Sequence, residues 1–269
     1  MNVSEMTNDS VLVVAHPDDE VLWFSSILRK VDEIVVCFID VASRPDWTEG
    51  RRKSLASHPV GSITSLDLTE SEVLNGANWR QPVLTKHGLE IKKSHDSLTG
   101  FSERNYTGNF ATLVNCLRPK IKLYKNVFTH NPWGEYGHEE HVQVYRALKE
   151  LQRESPFHLW VSNYCSNKSY DFMIQFLNGF DSKYVTLNTD RQLAEAAMDV
   201  YRQNKCWTWY EDYVWFNEEC FMRDKEPVSS EEAIGHSFPI NLLRLPLPAA
   251  YRQHSFHQGW RKFLPGTRR

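Results

Sequence analysis

The chain has 269 residues, 41% of them hydrophobic, and a formal net charge of -3 from 31 basic and 34 acidic side chains. That composition can bury one large core, and the near balance of charge sets aside nucleic acid and anionic membrane surfaces as expected partners, leaving small molecules. Cys37, Cys116, Cys165, Cys206 and Cys220 are odd in number and widely spaced without a C-x-x-C pair, which argues against a disulfide framework or a cysteine zinc site and for a reducing compartment. The polar N-terminus and the lack of any run near about 18 apolar residues predict a cytoplasmic protein without a membrane span.

In chain order, VLVVA at 11 to 15 is the pattern of a strand covered on both faces, as parallel strands are. From Val21 the apolar positions Leu22, Phe24, Ile27, Leu28 and Val31 follow helical spacing, and IVVCFID at 34 to 40 is a second buried strand. These make a βαβ unit, in whose sheet ligands sit beyond the carboxyl ends of the strands. RRKSLASHPVGSITSLDL predicts a short helix and then a strand, and FATLVNCLRP the amphipathic part of another helix. The 125 to 154 region repeats the first unit: a short strand, a loop with Pro132, Gly134 and Gly137, and a helix with Val142, Tyr145, Leu148 and Leu151 on one face. HLWVSNY at 158 to 164 predicts a strand, 183 to 187 a short edge strand, and 190 to 205 a helix. One domain over 1–269 is the expectation.

Polar clusters gather where two of these strands give way to helices. In AHPDDE, residues 15 to 20, three neighbouring carboxylates repel one another and are tolerated best beside a cation. His16, three residues before Asp19, can converge with it on one metal across a tight turn. The plainer alternative is a strand end with Asp18 or Asp19 capping the helix. GHEEHV places His138 and His141 three apart at a helix start, hence on one face. Both clusters belong on one rim of one sheet, where together they can make a His2Asp site. Three such ligands with a fourth position left for water describe a catalytic zinc site, which points to hydrolysis.

AHPDDE after a buried strand, joined to HNPWGEYGHEEHV a hundred residues later, resembles the LmbE/PIG-L family of zinc-dependent deacetylases; RQLAEAAMDVYRQNK is similar to a helix the family places downstream. The resemblance implies an α/β fold, a Rossmann-like, mostly parallel sheet flanked by helices, here followed by an aromatic-rich C-terminal extension. It implies Zn2+ held by His16, Asp19 and His141, with Asp18 as general base. His138 would stabilise the oxyanion or protonate the leaving amine, as an imidazolium kept charged by nearby acids, and Tyr136 would assist the oxyanion. The implied reaction is attack of a metal-activated water on the acetamide of an N-acetylated amino sugar or sugar conjugate. Hydrolysis of another amide or ester, or a metal-binding module without turnover, are the alternatives, and association of protomers is left open.

The chain departs from the family pattern in having Glu139 and Glu140 where Pro-Asp is common, and in offering Arg51 and Arg52 without a following acid. Glu20 reads as structural, His130 and Asn131 as ordering the second loop, and Cys206 as a buried thiol. CWTWYEDYVWFNEECF, 206 to 221, reads as packing for a strand or flap, with a sugar platform or lid built from Trp207, Trp209, Tyr213 and Trp215 as the functional alternative. His236 is a candidate for closing the site from the far end. RRK at 51 to 53 and the tail RKFLPGTRR read as solvated basic patches.

Overall fold

A computed structural model of the chain describes residues 3–61, 63–92, 103–224 and 238–246. His236 and the tail RKFLPGTRR lie outside the described residues. The elements in chain order are α1 (Val3–Thr7), β1 (Ser10–Val14), α2 (Asp19–Trp23), β2 (Glu33–Asp40), α3 (Pro45–Ala56), β3 (Ile63–Thr69), the short pair β4 (Leu84–Thr85) and β5 (Gly88–Leu89), and α4 (Glu103–Ile121). There follow β6 (Asn126–Thr129), α5 (Glu139–Glu154), β7 (His158–Ser162), β8 (Tyr164–Ser166), α6 (Tyr170–Ile174), β9 (Phe180–Asn188), α7 (Arg191–Gln203), β10 (Glu218–Asp224) and β11 (Asn241–Leu243).

The main sheet has the order β3-β2-β1-β6-β7-β10-β9. Its first five strands are parallel, and β10 runs antiparallel to both β7 and β9. In β1 the pleat sends Val11 and Val13 into the core shared with α4 and α5, and Leu12 and Val14 into the core shared with α2 and α7. The continuous aliphatic runs of β1, β2 and β6 therefore follow from burial on both faces. The chain order reverses at β1, whose neighbours are β2 on one side and β6 on the other. That switch point is where an open α/β sheet leaves a crevice.

Three expectations are corrected. The helix after β1 ends at Trp23, although Ile27 and Leu28 are as buried as its spacing predicts. The amides and hydroxyls of Ser25 and Ser26 donate instead to the buried carboxylate of Glu219 on β10, at 2.6–3.0 Å, and Trp215 Nε1 caps the carbonyl of Val21 at 3.0 Å. Side-chain partners 193 and 194 residues away, the Glu219 carboxylate as acceptor and the Trp215 indole as donor, thus replace the intrahelical bonds that would carry α2 further. HLWVSNY divides into β7 and β8, and Glu218–Asp224 is a strand wedged between β7 and the edge strand β9, placing the end of the aromatic segment inside the sheet. Arg51 is no solvated cation: it is buried, donating to Glu70 and to the carbonyl of Ile39, while Arg52 pairs with Asp40 at the surface. The acid that the local pattern around Arg51 lacks arrives from the residue after β3.

All five cysteines are free. Among the described residues no helix is long and apolar enough to cross a membrane.

Candidate metal centre and active site

The turn after β1 and the loop between β6 and α5 meet at the switch point. The imidazole centroids of His16 and His141 lie 5.4 Å apart, and His138 stands 4.7 Å from each. Asp19 lies between the first two, its Oδ2 3.3 Å from His16 Nδ1 and its Oδ1 3.2 Å from His141 Nε2. Tyr136 packs edge-on against His141 at 5.3 Å. His16, Asp19, Tyr136, His138 and His141 are thus gathered at one place.

Proton positions separate donors from metal ligands. Among the described residues, three sets of side chains have ligand atoms within 4.8 Å of one another: His16, His138 and His141; Asp19, His130 and His141; and His16, Glu70 and Glu140. His130 is excluded as a ligand because its Nε2 accepts the N–H of Ala15 at 2.8 Å. Its Nδ1 faces Glu135 at 3.0 Å, so although Glu135 and Asp19 overcome burial and push the ring up to about 9, the Ala15 amide requires a lone pair there and a neutral ring. His138 is excluded in the same way: Nδ1 accepts the N–H of Glu140 at 3.1 Å as the N-cap of α5, which leaves the proton on Nε2.

His16 and His141 are turned the other way. His16 Nε2 donates to Glu140 at 3.0 Å and His141 Nδ1 donates to Glu135 at 2.8 Å, so the lone pairs fall on His16 Nδ1 and His141 Nε2. Both face oxygens of Asp19. His141 Nε2 is buried without a hydrogen-bond partner. A lone pair held against a carboxylate oxygen at 3.2 Å is repulsive unless a cation joins them, so this donor set fits a metal ion. The crowding of acids points the same way: against the opposing effect of burial, Glu70, Asp19 and Glu140 raise His16 well above its ordinary range. The cluster is built to hold positive charge.

The supporting carboxylates come from positions whose roles local pattern does not reveal. Glu135, fully buried, receives His141 Nδ1, His130 Nδ1, the amide of Asn131 and the hydroxyl of Ser162. Against burial, the ring N–H groups of His130 and His141 that it accepts hold its carboxyl below the usual range. Glu140 accepts from His16 and from the amide of Ser71, and Glu139 from Asn75, Ala77 and Trp79. The two glutamates in place of Pro-Asp therefore orient the His16 imidazole and tie down the 71–79 loop. Asn131, as expected, orders its loop, through Ser162 and Tyr164.

Asp18 occupies the N-cap position of α2 at φ 94°, yet its carboxylate makes no cap bond. The capping alternative therefore does not account for it. The strained left-handed backbone is held by Glu20, whose Oε2 accepts the Asp18 amide at 3.0 Å and whose Oε1 accepts the hydroxyl of Tyr201 at 2.6 Å. Burial first and the charge of Asp19 second raise Asp18 to about 8. Burial and the neighbouring imidazoles push His138 well down, so the expected imidazolium gives way to a neutral ring with its proton on Nε2. Burial and the nearby acids raise Tyr136 well above its ordinary range, which keeps its phenol protonated.

A cavity of about 1190 Å3 opens over this cluster, with Trp209, Trp79, Lys168 and Arg51 among its walls. The 206–217 segment is docked rather than loose. Trp209 meets Tyr136 at 4.8 Å and Trp23 at 5.3 Å, while Trp215 is buried below. Part of the aromatic stretch is thus packing and part is wall, and Cys206 is buried against Ser54.

Among solved structures, the zinc-inhibited form of teicoplanin deacetylase Orf2 superposes with a TM-score of 0.51 at 12% identity, over 82% of this chain and all of that one. A deacetylase–teicoplanin complex from the teicoplanin biosynthesis pathway matches with a TM-score of 0.48 at 12% identity, over 81% and 99%. At 12% identity the likeness to Orf2 is one of fold: a mostly parallel sheet flanked by helices. The uncharacterized protein L374 of Acanthamoeba polyphaga mimivirus is 28% identical over 171 residues, 62% of this chain. The chain spans 66% of that relative's length, just under two thirds. The family model described as PIG-L, GlcNAc-PI de-N-acetylase, matches residues 11–152, which include both histidine motifs and the strands that carry them. That is more than half of the chain, and the chain belongs to the PIG-L family.

Proposed function

We propose that this protein is a zinc-dependent N-deacetylase, an amide hydrolase that removes the acetyl group from an N-acetylated amino sugar or sugar conjugate. The observation that carries this is the convergence of three unprotonated donors, His16 Nδ1, Asp19 and His141 Nε2, beside a second carboxylate that ligates nothing and faces a cavity. Membership of a family described as a de-N-acetylase supports the choice of bond. Zinc suits nitrogen and oxygen ligands of this kind, and when bound it supplies a Lewis acid that polarises an acyl oxygen and lowers the pKa of water to about 7.

The remaining work falls to side chains. Asp18, buried and raised towards neutrality, accepts the proton of the attacking water. The neutral His138 presents Nε2–H and the protonated Tyr136 its hydroxyl, two donors for the oxygen that becomes negative in the tetrahedral intermediate. As the carbon–nitrogen bond breaks, the proton on Asp18 passes to the amine, and His138 assists its departure by hydrogen bonding. Acetate and a free amino sugar result. Trp209 and Trp79 offer flat apolar walls to the sugar, and the size of the cavity exceeds the upper end of the usual range for small ligands, about 1,000 Å3, which favours a sugar with something attached.

The test is acetate release from a panel of N-acetyl sugars and conjugates, read beside metal content. Asp19→Ala is expected to lose metal and turnover together, and Asp18→Ala to keep the metal and lose turnover. The reverse pattern refutes the assignment. Stoichiometric metal with no acetate from any member leaves a binding module, and turnover of esters or other amides alone leaves a hydrolase of another bond.

A further inference from the structure

The fold leaves one degree of freedom in the base to be explained. Glu20 and Tyr201 fix the backbone of Asp18, but a fixed Cα does not aim a carboxylate that makes no cap bond. Its Oδ2 is taken twice by one residue, Thr208: the hydroxyl donates at 2.6 Å and the backbone amide at 3.3 Å. Thr208 lies 190 positions away in the chain, between α7 and β10, in the aromatic-rich segment that reads from sequence as packing.

That segment is anchored on both sides of Thr208. Cys206 Sγ contacts Ser54 Oγ at 3.3 Å, Trp209 packs on Trp23 and Tyr136, and Trp215 Nε1 is bonded to the carbonyl of Val21 within α2 itself. The donor pair is therefore held by the same helix turn that carries Asp18. With Oδ2 occupied by two donors, Oδ1 is the oxygen left to exchange a proton with water.

We infer that Thr208 is a positioning residue for the general base: its hydroxyl aims Asp18 so that one oxygen stays free for proton transfer. The inference rests on the reading of Asp18 as base in an N-deacetylase. Thr208 touches the carboxylate and is not asked to bind metal or to form a bond with substrate.

The experiment compares Thr208→Val, which keeps shape and loses the hydroxyl, with Thr208→Ser, which keeps the hydroxyl and loses the methyl. Both are loaded with zinc and assayed on whichever N-acetyl sugar the wild type turns over best. Because small misplacements of a catalytic group are costly, Thr208→Val is expected to lower kcat by about tenfold to a hundredfold with KM within about twofold, while Thr208→Ser stays within about threefold of wild type. Metal content is expected to be unchanged in both, and a crystal structure of Thr208→Val to show the Asp18 carboxylate rotated away from its wild-type position. Should Thr208→Val not fold, Thr208→Ala set against Thr208→Ser gives the same comparison.

An unchanged kcat in Thr208→Val overturns the inference, as does an equal loss in Thr208→Ser, which would assign the effect to the methyl group. A rise in KM at constant kcat also overturns it, making Thr208 a substrate contact. These outcomes leave the deacetylase reading standing, whereas a wild type that releases acetate from no substrate removes both.

Discussion

Replacing Glu135 by glutamine tests the proposed metal centre without touching any of its proposed ligands, His16, Asp19 and His141. The carboxylate receives four donors, two on each oxygen: His130 Nδ1 at 3.0 Å and His141 Nδ1 at 2.8 Å on Oε2, the Asn131 amide and the Ser162 hydroxyl on Oε1. A glutamine has one acceptor oxygen and one NH2 group. If the NH2 faces the imidazoles, it opposes two ring N–H groups and favours the wrong tautomer of His141. If it faces the other way, Ser162 can rotate but the Asn131 amide cannot, and one buried backbone donor is orphaned. The milder orientation costs about 1–3 kcal/mol of stability. For a domain of this size that is a fall of about 2–4 °C in Tm per kcal/mol.

The functional effect is separable, because His141 would then donate to a neutral amide in place of a carboxylate. Loss of such an orienting partner typically lowers metal affinity by about 10- to 100-fold. Competition with a chromophoric zinc chelator measures that number, and thermal melts with and without metal measure the other. Ser162→Ala removes one donor from the same carboxylate while leaving both histidines in place, and its zinc affinity is expected to change far less. Unchanged affinity in a folded Glu135→Gln protein would refute the reasoning, since His141 would then not depend on Glu135 for its tautomer.

Three further outcomes follow from particular contacts. Tyr201→Phe removes the hydroxyl bonded to the buried Glu20 and should cost about 1–3 kcal/mol in denaturant unfolding, a cost absent if that carboxylate finds another donor. Trp209→Ala removes a cavity wall and should raise KM for an N-acetyl sugar more than it lowers kcat, while a pure fall in kcat would show that the indole serves only to hold Thr208 and Tyr136. Partial burial opposes ionisation of Glu33, but Lys120, Thr64 and Tyr124 donate to it and hold it below its ordinary 4.5. Its folded-state pKa is depressed, so its contribution is present above the unfolded value and is lost as pH falls through the folded one. The Tm difference between wild type and Glu33→Gln should be level near neutrality and shrink on acidification below 4.5; a difference that grows there would contradict the contacts.

Much of this was written locally. The strands β1, β2 and β6 are apolar runs because both their faces are buried, and α5 and α7 show their apolar stripes at helical spacing. The two histidine motifs are compact, and their position after strands of one sheet was enough to expect them on one rim. What had no local signature is whatever depends on distant partners. Nothing around Ser25 and Ser26 announces that Glu219 will take their amides and end α2 at Trp23.

The choice among histidines belongs to the same class. His16, His130, His138 and His141 are alike as residue types, and the chain alone does not say which nitrogen of each carries a proton. Glu140, Glu135, the Ala15 amide and the helix cap decide that only when the sheet brings them together. Sequence by itself determined the parallel strands of the main sheet, most of the helices and the inventory of ligating groups, since these follow from periodicity and side-chain chemistry. Tertiary structure decided where α2 stops, which imidazoles present lone pairs and what aims Asp18, because hydrogen bonds between buried groups depend on distances across space that chain order does not encode.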